Sequence, residues 1–278
     1  MTSLYRPKGK TTMGKIRYLA LLSQQPEELA RFYTGYFNMR ELGRSKDGDI
    51  SFTDGYVNIT VFKMRPSLRE FEPRLAMGMN HLGVEVDSIE ETVERYLKYN
   101  PKGLVIPEPG GLHYGEMRIH DPEFMPISLS EKGFGVATRE SQMPKMLHLA
   151  LNAFHPPTVM EFYEQVFGIR PLEKSNALRV RAGRLNRFMG DGTMNFAIHA
   201  FYTDYPGHEG HYGMNHMGFM VDDWKTITAE IGKKWPAAPR PANRPYEDAR
   251  VEDPDGNKID IGQTKGWEID NDVWVQVA

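Results

Sequence analysis

The sequence predicts an α+β fold made by internal duplication, and three observations carry that prediction. The phrase GMNHLGVEVDS, from Gly78 to Ser88, returns as GMNHMGFMVDD, from Gly213 to Asp223. The run from Tyr18 aligns without a gap on the run from His148, pairing Leu19, Phe32, Tyr33, Phe37, Arg40 and Ser45 with Leu149, Phe162, Tyr163, Phe167, Arg170 and Ser175. Asp121-Pro122 returns as Asp253-Pro254. The offsets, 130, 135 and 132 residues, differ only as loops of unequal length would make them differ. Self-similarity at a nearly fixed period marks a repeated architecture.

Each half divides again into modules of a strand, a helix and three strands. Residues 1 to 13 form a polar, basic tail without periodicity, to which no chemistry is assigned. Lys15 to Ser23 reads as a strand. A helix follows, entered through Pro26 with Glu27 and Glu28 in its first turn, where carboxylates suit the helix dipole. Leu29, Phe32, Tyr33 and Tyr36 recur on it at helical spacing and read as core. Asp47-Gly48 and Asp54-Gly55 punctuate three short strands near 39–45, 48–53 and 56–64. The second module begins with the strand at His81. Ser88 and Glu91 have the spacing of a capping box before the helix IEETVERYLKY, and strands near 103–107, 114–120 and 125–130 complete it. Gly133 and Gly135 break the pattern between Glu131 and Met143, the predicted linker.

The third module runs from a strand at Met146–Asn152, through a helix entered by Pro156-Pro157, to strands ending in MNFAIHAFY. The fourth opens with the strand at His216. It continues through a helix starting near Asp223 to strands near 247–252 and 257–263. The units are therefore 14–132 and 144–265, each expected to have its own core, with 266–278 as an arm carrying two of the four Trp.

Composition narrows the function. A net charge of −3 with both signs scattered gives no basic stripe for nucleic acid or an anionic membrane. No apolar run reaches membrane-spanning length, and the N-terminus lacks the apolar centre of a signal peptide, so a cytoplasmic protein is expected. Without Cys there is no disulfide, no thiolate nucleophile and no sulfur ligand. His, Asp and Glu remain as metal ligands.

Four such modules, with His opening a strand and Asp-Pro-Asp-Gly-Asn preceding a last strand, resemble the vicinal oxygen chelate superfamily of glyoxalases, bleomycin and fosfomycin resistance proteins and extradiol dioxygenases. The resemblance covers most of residues 14 to 265. It implies two cup-shaped domains with mixed sheets, in which a divalent metal is held from the first, fifth and eighth strands. Carried over by position, these ligands are His148, His216 and Asp260. The first cup has Tyr18, His81 and Ser128 there and is expected to hold no metal, with His81 structural.

Two neutral imidazoles and one carboxylate leave coordination positions open, which suits a non-haem Fe(II) that meets both substrate and oxygen. Fe(II) is the expected ion, with Mn, Zn, Co or Ni as alternatives. Resemblance to two-domain extradiol enzymes implies a dioxygenase acting on a catechol-like small molecule with O2, and a homo-oligomer. His199 takes the place of their acid–base His, whose imidazole titrates near neutrality. A shifted register would put Met194 there instead. Asp260 stands where the family usually has Glu. Arg250 stands where it has an acidic Tyr, a role that Tyr246 could take over from a bulged strand. Arg250, Arg244 and Phe201 are the candidate substrate contacts, and His208 and His211 lie in a Gly-rich loop that could form a lid. Two other readings stay open: a lyase, isomerase or hydrolase using a Lewis-acid metal, and a resistance-type binding protein without catalysis. Taken alone, each His reads better as a satisfied core or pocket residue; taken together, the set reads as ligands.

Overall fold

A computed structural model describes residues 13–65, 77–138, 140–181, 186–201, 212–237 and 245–277. The tail before Met13, Arg244, His208 and His211 lie outside the described residues. The first half holds β1 (Lys15–Ser23), α1 (Pro26–Tyr36), β2 (Arg40–Arg44), β3 (Ile50–Thr53), β4 (Asn58–Lys63), β5 (Gly78–Glu85), α2 (Ile89–Tyr99), β6 (Ile106–Pro107), β7 (Met117–His120) and β8 (Pro126–Ser130). They form one eight-stranded sheet in the order β2-β3-β4-β1-β5-β8-β7-β6. Within each module the first strand runs parallel to the last, and β1 meets β5 antiparallel, joining the two modules.

The second half repeats this arrangement. Its elements are β9 (Lys145–Ala153), α3 (Pro156–Phe167), β10 (Arg170–Pro171), α4 (Glu173–Arg181), β11 (Arg187–Gly190), β12 (Asn195–Ala200), β13 (Gly213–Met220), α5 (Trp224–Gly232), β14 (Ala249–Glu252) and β15 (Lys258–Gly262). The seven strands order as β10-β11-β12-β9-β13-β15-β14. The chain thus has the predicted α+β fold, two mixed sheets with few helices.

Local sequence accounts for the helix ends. Pro26 and Pro156 occupy first-turn positions, where a missing N–H costs nothing. Ser88 Oγ accepts from Glu91 N at 3.1 Å, and Asp223 caps α5 by accepting from Lys225 N and Thr226 N. Gly168 closes α3 at φ 70°, a conformation that costs glycine little.

Two expectations need correction. α4 occupies a stretch predicted as extended, whereas the two strands predicted after the fourth module's helix are found at Ala249–Glu252 and Lys258–Gly262. Nor are the cores separate. One apolar cluster runs through both halves: Phe37, which caps the end of α1, packs on Phe219 of β13 with ring centroids 4.3 Å apart, and Tyr99 of α2 on Phe162 of α3 at 5.5 Å.

The repeated residues make this joint. Asp54 Oδ2 accepts from Met146 N at 2.8 Å, and the matching Asp191 Oδ2 accepts from Ile16 N at 2.7 Å. Each half thus caps the first strand of the other. Tyr33 donates to Asp253 Oδ2 at 2.8 Å across the same joint. The helices face this shared core, which leaves the opposite face of each sheet to form a cup.

Candidate metal centre

His148, His216 and Asp260 come from the adjacent strands β9, β13 and β15. Gly218 sits in register with both His148 and Asp260, and His216 lies two residues before Gly218. The alternation of a strand therefore directs all three side chains to one face. All are buried, with exposures of 3%, 2% and 1%. His148 Nε2 lies 3.0 Å from His216 Nε2, and His216 Nε2 lies 3.2 Å from Asp260 Oδ2. Among the described residues this is the group of His and carboxylate side chains whose ligating atoms gather closely, all within 4.8 Å.

The ring nitrogens facing away from the centre define its chemistry. Asn195 donates its amide to Glu268 O at 2.6 Å, which turns its Oδ1 toward His148 Nδ1 at 2.7 Å. His216 Nδ1 meets Asn215 Oδ1 at 2.5 Å. An Asn oxygen accepts, so each Nδ1 carries the hydrogen and each Nε2 presents a lone pair to the centre. Two such lone pairs 3.0 Å apart beside a carboxylate are aimed at one point and suit a cation held between them. The donor set, two imidazoles and a carboxylate without sulfur, fits a divalent metal of intermediate hardness. Arg250 Nε donates to Asp260 Oδ1 at 2.5 Å, leaving Oδ2 as the oxygen nearer the histidines.

No curated protein was found to match the sequence. The family model of the Glyoxalase/Bleomycin resistance protein/Dioxygenase superfamily matches residues 145–261, a span that contains all three residues. The second domain belongs to that superfamily.

The fold likeness extends to both domains. The 2,3-dioxygenase LapB from Pseudomonas sp. KL28 is 14% identical, with a TM-score of 0.59 over 90% of this chain and 91% of that one. The Mn(II)-bound glyoxalase from Novosphingobium aromaticivorans is 14% identical, with 0.63 over 90% and 82%. Homoprotocatechuate 2,3-dioxygenase from Arthrobacter globiformis is 12% identical, with 0.63 over 92% and 81%. At such identities the likeness is one of fold. That fold is the two-domain vicinal oxygen chelate arrangement.

In this vicinal oxygen chelate cup, His199 lies on the same face of β12 as Asn195, the partner of His148. Its ring centroid is 5.4 Å from that of His216. Met194, the residue of the shifted register, is fully buried in the shared core. Tyr246 is buried and stacks between Phe188 and Trp274, at 5.2 and 5.8 Å. Phe201 lies just beyond β12 and meets Phe154 edge-on at 5.5 Å.

Trp267 belongs to the centre and escaped the sequence reading. The arm folds as a hairpin of β16 (Trp267–Asp270) and β17 (Val273–Val275). Its indole stacks on His148 with centroids 5.3 Å apart and planes within 8°. Glu268, the next residue, accepts from Ser175 N and Oγ at 2.9 and 2.6 Å, so α4 anchors the hairpin. The first cup has the same device: Phe134 stacks on Tyr18 at 4.9 Å. The signal was present as Lys132-Gly133-Phe134 and Lys265-Gly266-Trp267.

These rings explain the glycine of the repeated Asn-His-X-Gly. A Cβ on Gly218 would lie 2.8 Å from Trp267 Cζ2 and 2.9 Å from His148 Cβ. Gly218→Ala is therefore expected to displace ring and ligand together and to weaken metal binding roughly 10- to 100-fold, the usual scale for disturbing a ligand's support. Gly83→Ala makes the equivalent clash with Phe134 and Tyr18 in the first cup and should leave metal affinity unchanged. Metal titrations of the two variants check the contrast.

Burial first, and the neighbouring His216 next, pushes the His148 imidazole from its ordinary 6.5 down to about 3. The unfolded chain then binds this proton more readily than the folded one. Stability from neutral His148 is complete above pH 6.5 and is lost as pH falls from there toward 3, by at most about 1.4 kcal/mol per pH unit. In metal-free protein the urea midpoint should fall over this range, and less steeply in His148→Gln. Parallel curves would contradict the assignment.

Proposed function

We propose that the chain is a metal-dependent dioxygenase of the extradiol type, cleaving a catechol-like or related aromatic substrate with O2 between or beside its vicinal oxygens. The observation that carries this reading is the open two-His, one-carboxylate set with a further His on the same face of the cup. Fe(II) held by His148, His216 and Asp260 would supply Lewis acidity toward the vicinal oxygens and electrons toward dioxygen.

The chain's own residues divide the remaining work. His199 takes a proton from a substrate hydroxyl and returns it later, as an imidazole near neutrality can. Arg250 holds Asp260 by one oxygen and adds a fixed positive charge. Trp267, Phe188 and Tyr246 form an aromatic wall that excludes water, and Tyr246 is the phenol nearest the place where related enzymes carry an acidic Tyr. Phe201 is the further proposed substrate contact, together with Arg244, which lies outside the described residues.

Oxygen uptake by anaerobically iron-loaded protein, measured with a panel of catecholic substrates, tests this reading. The expected result is uptake that requires both iron and substrate and falls at least 100-fold in His199→Gln, within the range of general acid–base catalysis. Iron-loaded protein that consumes no oxygen with any member of the panel would refute it.

A second reading, a lyase, isomerase or hydrolase using a divalent metal as a Lewis acid only, is favoured by the fold likeness to the Mn(II)-bound glyoxalase and by Arg250 in place of an acidic Tyr. It requires activity that survives without air. No helix among the described residues is long and apolar enough to cross a membrane, and a cytoplasmic homo-oligomer is the proposed setting. A monomer in a sizing measurement would reject the oligomer.

A further inference from the structure

The duplication places an arginine in both cups at the same point. Arg118 pairs in register with Ser128, and Arg250 pairs with Asp260. Ser128 and Asp260 are themselves equivalent, each lying opposite the glycine of the repeated phrase, Gly83 or Gly218.

The two arginines are satisfied differently. In the first cup, Arg118 Nη2 forms an ion pair with Glu108 Oε1 at 2.6 Å, the Glu108 side chain being only 3% exposed; Arg118 Nε has no hydrogen-bond partner among the described residues, so here the arginine meets a carboxylate through one end of its fork. Glu108 follows β6, and its carboxylate enters the cup: a Cβ on Gly115 would lie 1.9 Å from Glu108 Oε2 and 3.2 Å from Ser128 Cβ. Leu112, farther along the same loop, accepts from Thr60 Oγ1 at 3.1 Å. The first cup is thus filled by a carboxylate from its own chain.

In the second cup, Arg250 spends Nε on Asp260 Oδ1. Its side chain is 9% exposed, and its Nη2 is buried with no hydrogen-bond partner among the described residues. A buried guanidinium N–H left unmatched is costly, and its planar fork suits a carboxylate.

We propose that the substrate of the second cup carries a carboxylate, and that Arg250 Nη2 binds it where the first cup places Glu108 against Arg118. The inference rests on the second cup being a metal-dependent site for vicinal oxygens, and it names the class of acid that enters. A neutral analogue leaves the guanidinium unmatched, so the cup selects the anion. Arg250 here is a specificity residue.

Calorimetric titration of anaerobic, Mn(II)-loaded full-length protein tests it. The probes are catechol, 2,3- and 3,4-dihydroxybenzoate, and the amides of both acids. At least one acid is expected to bind about tenfold or more tightly than its amide, the scale of a hydrogen bond to a charged group. The preference should fall below about threefold in Arg250→Met, recover in part in Arg250→Lys, and persist in Glu108→Gln. Metal content is measured on each sample, and the acid–amide comparison on wild type decides the matter even if a variant loses its metal. Catechol binding without discrimination between acids and amides would overturn this inference alone. Failure of all five probes to bind metal-loaded protein would overturn the underlying reading, and this inference with it.

Discussion

Asp260→Ala is expected to cost the protein its metal and, separately, much of its stability without metal. The side chain is 1% exposed and lies 2.5 Å from Arg250 Nε and 3.2 Å from His216 Nε2. Removing it deletes a ligand and leaves a buried guanidinium uncompensated. Breaking a buried pair from one side costs about 3 to 5 kcal/mol, far more than the pair itself contributes. For a chain of this size that moves the urea midpoint of the metal-free protein by roughly 1 M or more. Stoichiometric metal should be lost at the same time. An unchanged midpoint would show that Arg250 finds another partner, contrary to the structure.

Arg17→Met is expected to have the other large effect, on folding alone. Arg17 is 1% exposed. It pairs with Glu85 Oε2 at 2.7 Å, donates to Tyr56 O at 3.0 Å and Thr138 O at 2.8 Å, and lies 4.4 Å from the Tyr56 ring centroid. One side chain therefore ties β1 to β5, to the turn before β4 and to the linker. Methionine fills much of the volume but leaves Glu85 buried with its cationic partner removed. The predicted loss is about 3 to 5 kcal/mol, or on the order of 10 °C in melting temperature. Metal affinity should not change in the folded fraction, because Arg17 contributes nothing to the second cup. Thermal melts and metal titrations on the same variant separate the two effects.

The parts of this fold that were legible in the sequence are those fixed by local chemistry or by repetition. Pro26 and Pro156 open helices, Ser88 and Asp223 cap them, and the repeated phrases placed His148 and His216 on corresponding strands. Asp260 needed the family resemblance, since nothing local distinguishes it from any Asp after a turn. The shared core could not be read, because Phe37 and Phe219 lie far apart in sequence and each looks like the core residue of its own half.

α4 carries little apolar periodicity, and its anchoring to Glu268 is a contact between distant segments. Trp267 and Phe134 were missed for a different reason. The repeated Lys-Gly-aromatic triplet lies in the predicted linker and the predicted arm, beyond the matching blocks of the two halves, and three residues carry too little signal to extend the repeat.

Metal content by elemental analysis, on anaerobically purified wild type, His216→Ala and His81→Ala, tests the central claim most directly. His81 has an Asn partner at Nδ1 like that of His216, but Tyr18 and Ser128 stand where His148 and Asp260 complete the other set. The predicted result is one divalent ion per chain in wild type and in His81→Ala, and none in His216→Ala. Metal retained by His216→Ala, or lost from His81→Ala, would contradict the assignment of the metal to the second cup.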